Sequence, residues 1–210
     1  MDHSGKASVP PQQKHGISKD FEEILVCETL EEAEEAFVGA KERLLQVNGW
    51  QEMSKTIKSQ FQVVDEEGRE LHRKAHKDDY IRIDIPAPGS KAGEGSDWVR
   101  VDALEYDDYP DDNRELIAMR LRPADNPANR DSSIAHFFSE ASSSTFIIER
   151  TDKVITAKYH GRNEVPNTGT EALGDKMRNV VVAVGAMLGF SDVQWKGLLK
   201  GFLDVLEGTE

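Results

Sequence analysis

The chain has 210 residues, enough for one domain that buries roughly 70% of the surface its unfolded form exposes, so folding needs neither disulfides nor a metal. Acidic residues outnumber basic ones by 39 to 26, and a net charge of -13 repels phosphate backbones and anionic headgroups, which argues against nucleic-acid and membrane-surface partners. Cys27 is the single cysteine, which excludes an intrachain disulfide and a thiolate metal cage.

Met1 to Asp20 is polar and has no apolar h-region, so it does not read as a signal peptide; residues 1–19 are expected to form a disordered tail before one α+β domain over 21–210. The most apolar run, Val180 to Phe190, falls short of the roughly 20 residues that span a bilayer. The expected compartment is the cytoplasm. Phe21 to Cys27 suits a short helix or a strand, and its pattern does not separate the two. The first clear element follows. Thr29 and Glu32 match a capping box, and Leu30, Ala33, Phe37, Ala40, Leu44 and Val47 recur at helical spacing, which predicts a helix over 30–47 stopped by Asn48-Gly49.

The period then changes to two. Ile57, Phe61 and Val63 alternate with polar residues, as do Ile81, Ile83 and Ile85, then Val99, Val101 and Ala103, then Ile117, Met119 and Leu121. Thr145 to Glu149 and Val154 to Tyr159 flank a turn of hairpin length at Arg150 to Lys153. Six or seven strands result, paired antiparallel because their connections are short. Two longer connections, Pro86 to Asp97 and Arg122 to Asp131, suit mobile or binding loops. Helical spacing returns over Glu171 to Leu188, and Trp195, Leu198, Leu199, Phe202 and Leu206 trace one face of a last helix after the capping pair Ser191 and Gln194. The expected fold is α+β: a mostly antiparallel sheet of six or seven strands, one helix before it and two C-terminal helices packed on one face.

No recognisable catalytic or cofactor motif is present. The most chemical stretch is Tyr159 to Thr168, in which His160, Arg162 and Glu164 bring an imidazole, a guanidinium and a carboxylate within five residues. It suits acid-base chemistry or anion capture, with Arg162 as the anion-gripping group, or simply a turn in which Arg162 pairs with Glu164 and Asn163 supports the bend. His136 could join His160 if their segments pack together, though a short helix burying Ile134 and Phe137 explains its surroundings equally well. His72 and His76 have the spacing of a helical metal pair, but Arg73, Lys74 and Lys77 oppose a cation there. Asp107, Asp108, Asp111 and Asp112 lack the spacing and glycine of a calcium loop. Arg82, Arg100, Arg120 and Arg122 fall on the polar faces of three predicted strands, where they grip an anionic ligand or pair with Asp84, Asp102 and Glu115.

Three stretches, Asp79 to Pro86 with Asp97 to Val101, then His160 to Glu164, then Gln194-Trp195-Lys196, resemble a family of bacterial proteins of unassigned function over about residues 30–206. The resemblance implies no activity and transfers no functional residue. Two functions follow as expectations. The first is a non-enzymatic binding or protein-interaction module. The second is a small-molecule enzyme or ligand-binding protein whose polar site gathers His160, Arg162, Asn163 and Glu164, with Arg120 and His136 nearby. No cofactor and no metal are expected. The partner is a protein or a small molecule, and self-association stays open.

Overall fold

A computed structural model describes residues 10–54, 59–84, 96–128, 141–164 and 192–204. Seven strands form one antiparallel sheet: β1 (Ile17–Val26), β2 (Gln60–Val64), β3 (Tyr80–Asp84), β4 (Ser96–Tyr109), β5 (Arg114–Pro123), β6 (Ser143–Thr151) and β7 (Val154–Glu164). Their spatial order is β1-β7-β6-β5-β4-β3-β2, so the first strand lies at one edge beside the last. Helices α1 (Leu30–Leu45) and α2 (Trp50–Ser54), joined by a 3-10 turn at Val47–Gly49, come between β1 and β2 in the chain, and α3 (Asp192–Leu203) follows β7.

The α+β class stands, but the expected order of elements does not. Among the described residues no helix precedes the sheet: β1 comes first, and two helices sit between it and β2. One C-terminal helix is described, α3; the helix expected over 171–188 lies outside the described residues. The expected tail also gives way early, because Ile17 pairs with Glu164 and Lys19 with Gly161. The undecided segment is a strand because Lys19, Phe21, Glu23 and Leu25 turn to the interior while Asp20, Glu22, Ile24 and Val26 face solvent. Charged residues on both faces hide that alternation, and the partner strand is more than 120 residues away.

Helix α1 begins as its sequence predicts. Thr29 Oγ1 accepts from the Glu32 N–H at 3.1 Å, and the Glu32 carboxylate reaches back to the Glu28 N–H at 3.0 Å, satisfying two amides that have no partner within the helix. Its end differs. Asn48 makes no left-handed stop; its side chain donates to the Leu71 carbonyl (2.8 Å) and accepts from the Val63 N–H (2.7 Å), tying the helical turn to β2.

One face of the sheet carries Val63, Ile81, Val101, Met119, Phe146, Ile148 and Tyr159, and it is covered by Phe37 and Leu44 of α1, Trp50 of α2 and Leu198 and Phe202 of α3. Phe146 is the hub of this layer. Trp50 meets it edge-on at 5.0 Å, Tyr159 at 5.3 Å, Trp195 at 5.7 Å and Phe202 at 6.0 Å, the tilted geometries that aromatic quadrupoles favour. The buried Trp50 indole donates to the Leu44 carbonyl at 3.1 Å, so no donor is stranded.

Phe202 is fully buried between Trp50 and Phe146. Phe202→Ala should cost about 3–5 kcal/mol of stability, the usual range for deleting a buried aromatic ring, read by urea unfolding. A change near zero would mean that α3 does not close the core.

Candidate functional site

Strand β7 carries the polar stretch, and its geometry divides that stretch in two. Up to Arg162 the strand keeps its two-residue period: Ile155, Ala157, Tyr159 and Gly161 are buried, and Lys158, His160 and Arg162 turn to the outer face. Asp20 of β1 lies opposite His160 and joins the two outer cations. Its Oδ1 is 2.5 Å from His160 Nδ1 and 2.6 Å from an Arg162 Nη. Burial alone would raise the Asp20 pKa, but the hydrogen bonds and charges of Arg162 and His160 outweigh it and hold the carboxyl below its usual range. Arg162 also donates to the carbonyls of Lys19 (3.2 Å) and Gly161 (2.8 Å).

The period breaks at Asn163, whose backbone is left-handed (φ 55°), a conformation that asparagine tolerates better than most residues. Asn163 and Glu164 are consequently both buried, where regular alternation would return Glu164 to the outer face with Arg162. The bend is held from three sides. Asn163 Oδ1 accepts from the Lys14 and His15 amides at 2.7 and 3.3 Å, its own N–H donates to Gln13 Oε1 at 2.9 Å, and Ser142 Oγ donates to its carbonyl at 2.8 Å. Glu164 is thereby folded inward over Gly161. A methyl group at Gly161 would lie 2.3 Å from Glu164 Oε1, so only glycine leaves room for the carboxyl. The Tyr159 hydroxyl donates to Oε1 at 3.3 Å and sits 3.1 Å from Ser144 Oγ.

Glu164 meets a cavity on the helix-covered side of the sheet, with about 80 Å³ open to the centres of water-sized occupants. One water needs about 10–15 Å³ on that measure, so the space holds several waters or a ring-sized fragment. Trp50, Phe61, Phe146, Tyr159 and Trp195 form its aromatic wall, extended by Ile83, Val99 and Leu121. Tyr159 and Trp195 stack at 4.1 Å with an 18° tilt. Lys19, Asp97, Arg122, Ser142, Ser143, Ser144 and Glu164 contribute the polar lining. Burial pushes the Glu164 carboxyl up, against the opposing pull of Lys19, Tyr159 and Arg162. Burial likewise pushes the Tyr159 phenol well above its ordinary range, so it stays a neutral donor.

The structure therefore brings His160 and Arg162 together with Asp20 on the outside and sends Glu164 to the inside. The expected Arg162–Glu164 pair is replaced by Arg162–Asp20. Asn163 serves as the bend between the two groups. Arg120 lies on the outer face, across Thr145 from His160, and is held by Asp102 at 2.6 Å. His136 lies outside the described residues. The other outer-face arginines are also held: Arg122 by Asp102 (3.0 Å), Arg82 by Glu70 and Asp84 (3.0 and 3.1 Å) and Arg100 by Asp78 (2.7 Å). Glu115 takes Arg150 instead, at 2.8 Å.

His72 and His76 sit in the irregular segment before β3, not on a helix. Asp107 and Asp108 belong to β4, and Asp111 and Asp112 to the 3-10 turn Pro110–Asp112 that links it to β5. Among the described residues no group of three or more His, Cys, Asp or Glu side chains is arranged to hold a metal. No described helix is long and apolar enough to cross a membrane. Tyr159 and Trp195, which the sequence marked as a strand residue and a helix-face residue, also belong to the site, as do Lys19 and Ser144, which carried no motif. Their only local signal is the period that turns each of them inward.

No family model matches the chain, and no curated protein matches it. Among solved structures it is similar to the protein Ms6760 from Mycobacterium smegmatis, at 13% identity and a TM-score of 0.42, over 95% of this chain and 98% of that one. It is also similar to a START superfamily protein from Mycobacterium smegmatis, at 13% identity and a TM-score of 0.36, over 88% of this chain and 94% of that one. A major latex-like protein from Panax ginseng follows at 8% identity and a TM-score of 0.33, over 82% and 96%. Likeness at this level leaves the site to be read from this chain's own residues.

The raised Glu164 pKa has a sign that can be checked. The folded chain binds this proton more tightly than the unfolded chain, so the associated stability is complete below the unfolded value of about 4.3 and is lost as pH rises through the folded value. Glu164→Gln cannot ionise. Its melting temperature should rise relative to wild type as pH increases from about 4 toward neutrality. A difference that does not change over that interval would show that Glu164 ionises as freely in the fold as in the unfolded chain.

Proposed function

We propose that this chain binds a small, largely apolar molecule in the cavity between the sheet and the helices. The observation that carries this reading is the cavity's composition: five aromatic rings in its lining, together with a buried carboxyl and the hydroxyls of Tyr159 and Ser144 beside it. A pocket mostly apolar in lining, with a few polar groups fixed in direction, is the usual form of a small-molecule site. The aromatic wall offers faces and edges for a ring to pack against, and packing of that kind contributes beyond simple area burial. The outer face supports an anion-gripping role less well, because each of its four expected arginines already holds a carboxylate.

Toluene tests the reading, since it has the size of a single ring and no polar group. Titration into the protein should give a saturable change in tryptophan fluorescence, because Trp50 and Trp195 both line the cavity. Val99 lines it as well, and Val99→Phe should fill it. That variant should still unfold cooperatively, at a cost of about 1–3 kcal/mol for overpacking, and bind toluene at least about tenfold more weakly. No saturable signal from the wild-type chain would overturn the reading.

A further inference from the structure

We propose that the ligand is an uncharged ring compound carrying a hydroxyl, and that this hydroxyl donates a hydrogen bond to Oε2 of Glu164. The proposal rests on the cavity being a ligand site and names the chemistry that the site selects.

Three features of the chain act together to place one carboxyl in an apolar cavity. Asn163 takes a left-handed backbone, which breaks the strand period and turns Glu164 inward. Residues 12–15 are bonded to Asn163 and hold the bend in place. Gly161 supplies the space that the carboxyl occupies. Core stability explains none of this, because an apolar side chain at 164 would fill the same space without desolvating a charge. Among the described residues the Glu164 carboxyl makes no salt bridge, and the only hydrogen bond it accepts is the 3.3 Å contact from Tyr159 to Oε1. A buried polar group that is costly to place and incompletely partnered by its own chain marks a site where a partner arrives from outside.

The neighbouring charges narrow the class of that partner. Glu164 opposes an anion. Lys19, which lines the same cavity and acts electrostatically on Glu164, opposes a cation. Arg122 also lines the cavity, but Asp102 holds its guanidinium. An uncharged ligand meets neither objection. The direction of its hydrogen bond follows from the chain Ser144–Tyr159–Glu164. The tyrosine proton is directed to Oε1, and the tyrosine oxygen lies within bonding distance of the serine hydroxyl. Oε2 is left as an acceptor that makes no hydrogen bond among the described residues, so the complementary group is a donor. The aromatic residues of the lining supply the surface for the ring.

A matched series tests this: toluene, para-cresol, para-toluate and 4-methylbenzylammonium share one ring and methyl group and differ only in the substituent opposite. Each is titrated into wild type, Glu164→Leu and Gly161→Ala at neutral pH, with binding read by tryptophan fluorescence and calorimetry. Wild type should bind para-cresol about tenfold more tightly than toluene, the gain of one hydrogen bond to a carboxylate, and both ions more weakly than toluene. Glu164→Leu should bring the cresol-to-toluene ratio to about one while keeping toluene binding. Gly161→Ala, which retains the carboxyl but displaces it, should lose the preference as well. A ratio near one in wild type, a preference that survives in Glu164→Leu, or tightest binding of either ion would overturn the hydroxyl assignment while leaving the cavity as a ligand site. Failure of toluene and para-cresol alike to bind wild type would overturn both.

Discussion

Pairing between Ile17–Val26 and Val154–Glu164 joins parts of the chain more than 120 residues apart, and the site exists because of it. Closing a loop of that length is entropically unfavourable and is offset only by what the closed structure buries. Here the return is the inner layer, where Phe21 stacks on Tyr159 and α3 packs against β1 and β7. The same pairing sets Lys19 opposite Gly161, near the inward carboxyl, and Asp20 opposite His160 on the outside. One antiparallel register thus supplies one residue to each side of the sheet.

The two sides differ in what their charges do. On the outer face carboxylates and guanidinium groups pair across strands while keeping contact with water, as Asp102 does with Arg120 and Arg122, and Glu149 with Arg114 and Lys158. Such pairs contribute modestly to stability and keep long side chains in place. Inside, Glu164 has no cation within ion-pair distance among the described residues, and burial raises its pKa against the weaker pull of Lys19, Tyr159 and Arg162. A charge on the outer face can be exchanged at small cost. The inward carboxyl is sustained by a bent backbone, a glycine and a bonded N-terminal segment. Local strain that a packed surrounding maintains, and that stability alone does not explain, is a common mark of binding and catalytic positions.

The aromatic layer connects stability to the site. Phe146 touches Trp50, Tyr159, Trp195 and Phe202, so the rings that close the core also form the cavity wall. Interiors packed to this density have discrete arrangements rather than continuous ones.

The amino-acid sequence by itself determined the elements whose signals are local. The capping pair Thr29 and Glu32 and the helical spacing behind it marked α1. Alternating Ile, Val and charged residues marked β3, β4 and β5, and Trp195, Leu198, Leu199 and Phe202 marked the buried face of α3. His160, Arg162 and Glu164 also stood out as chemical residues, but as a single cluster. Tertiary structure alone decided that β1 is a strand, because its two charged faces carry little period and its partner lies at the far end of the chain. It also decided that the cluster divides. Alternation along a strand is a property of regular backbone, and the left-handed residue at Asn163 reverses the direction of Glu164. That conformation is held by Gln13, Lys14, His15 and Ser142, contacts between remote segments that no local spacing encodes.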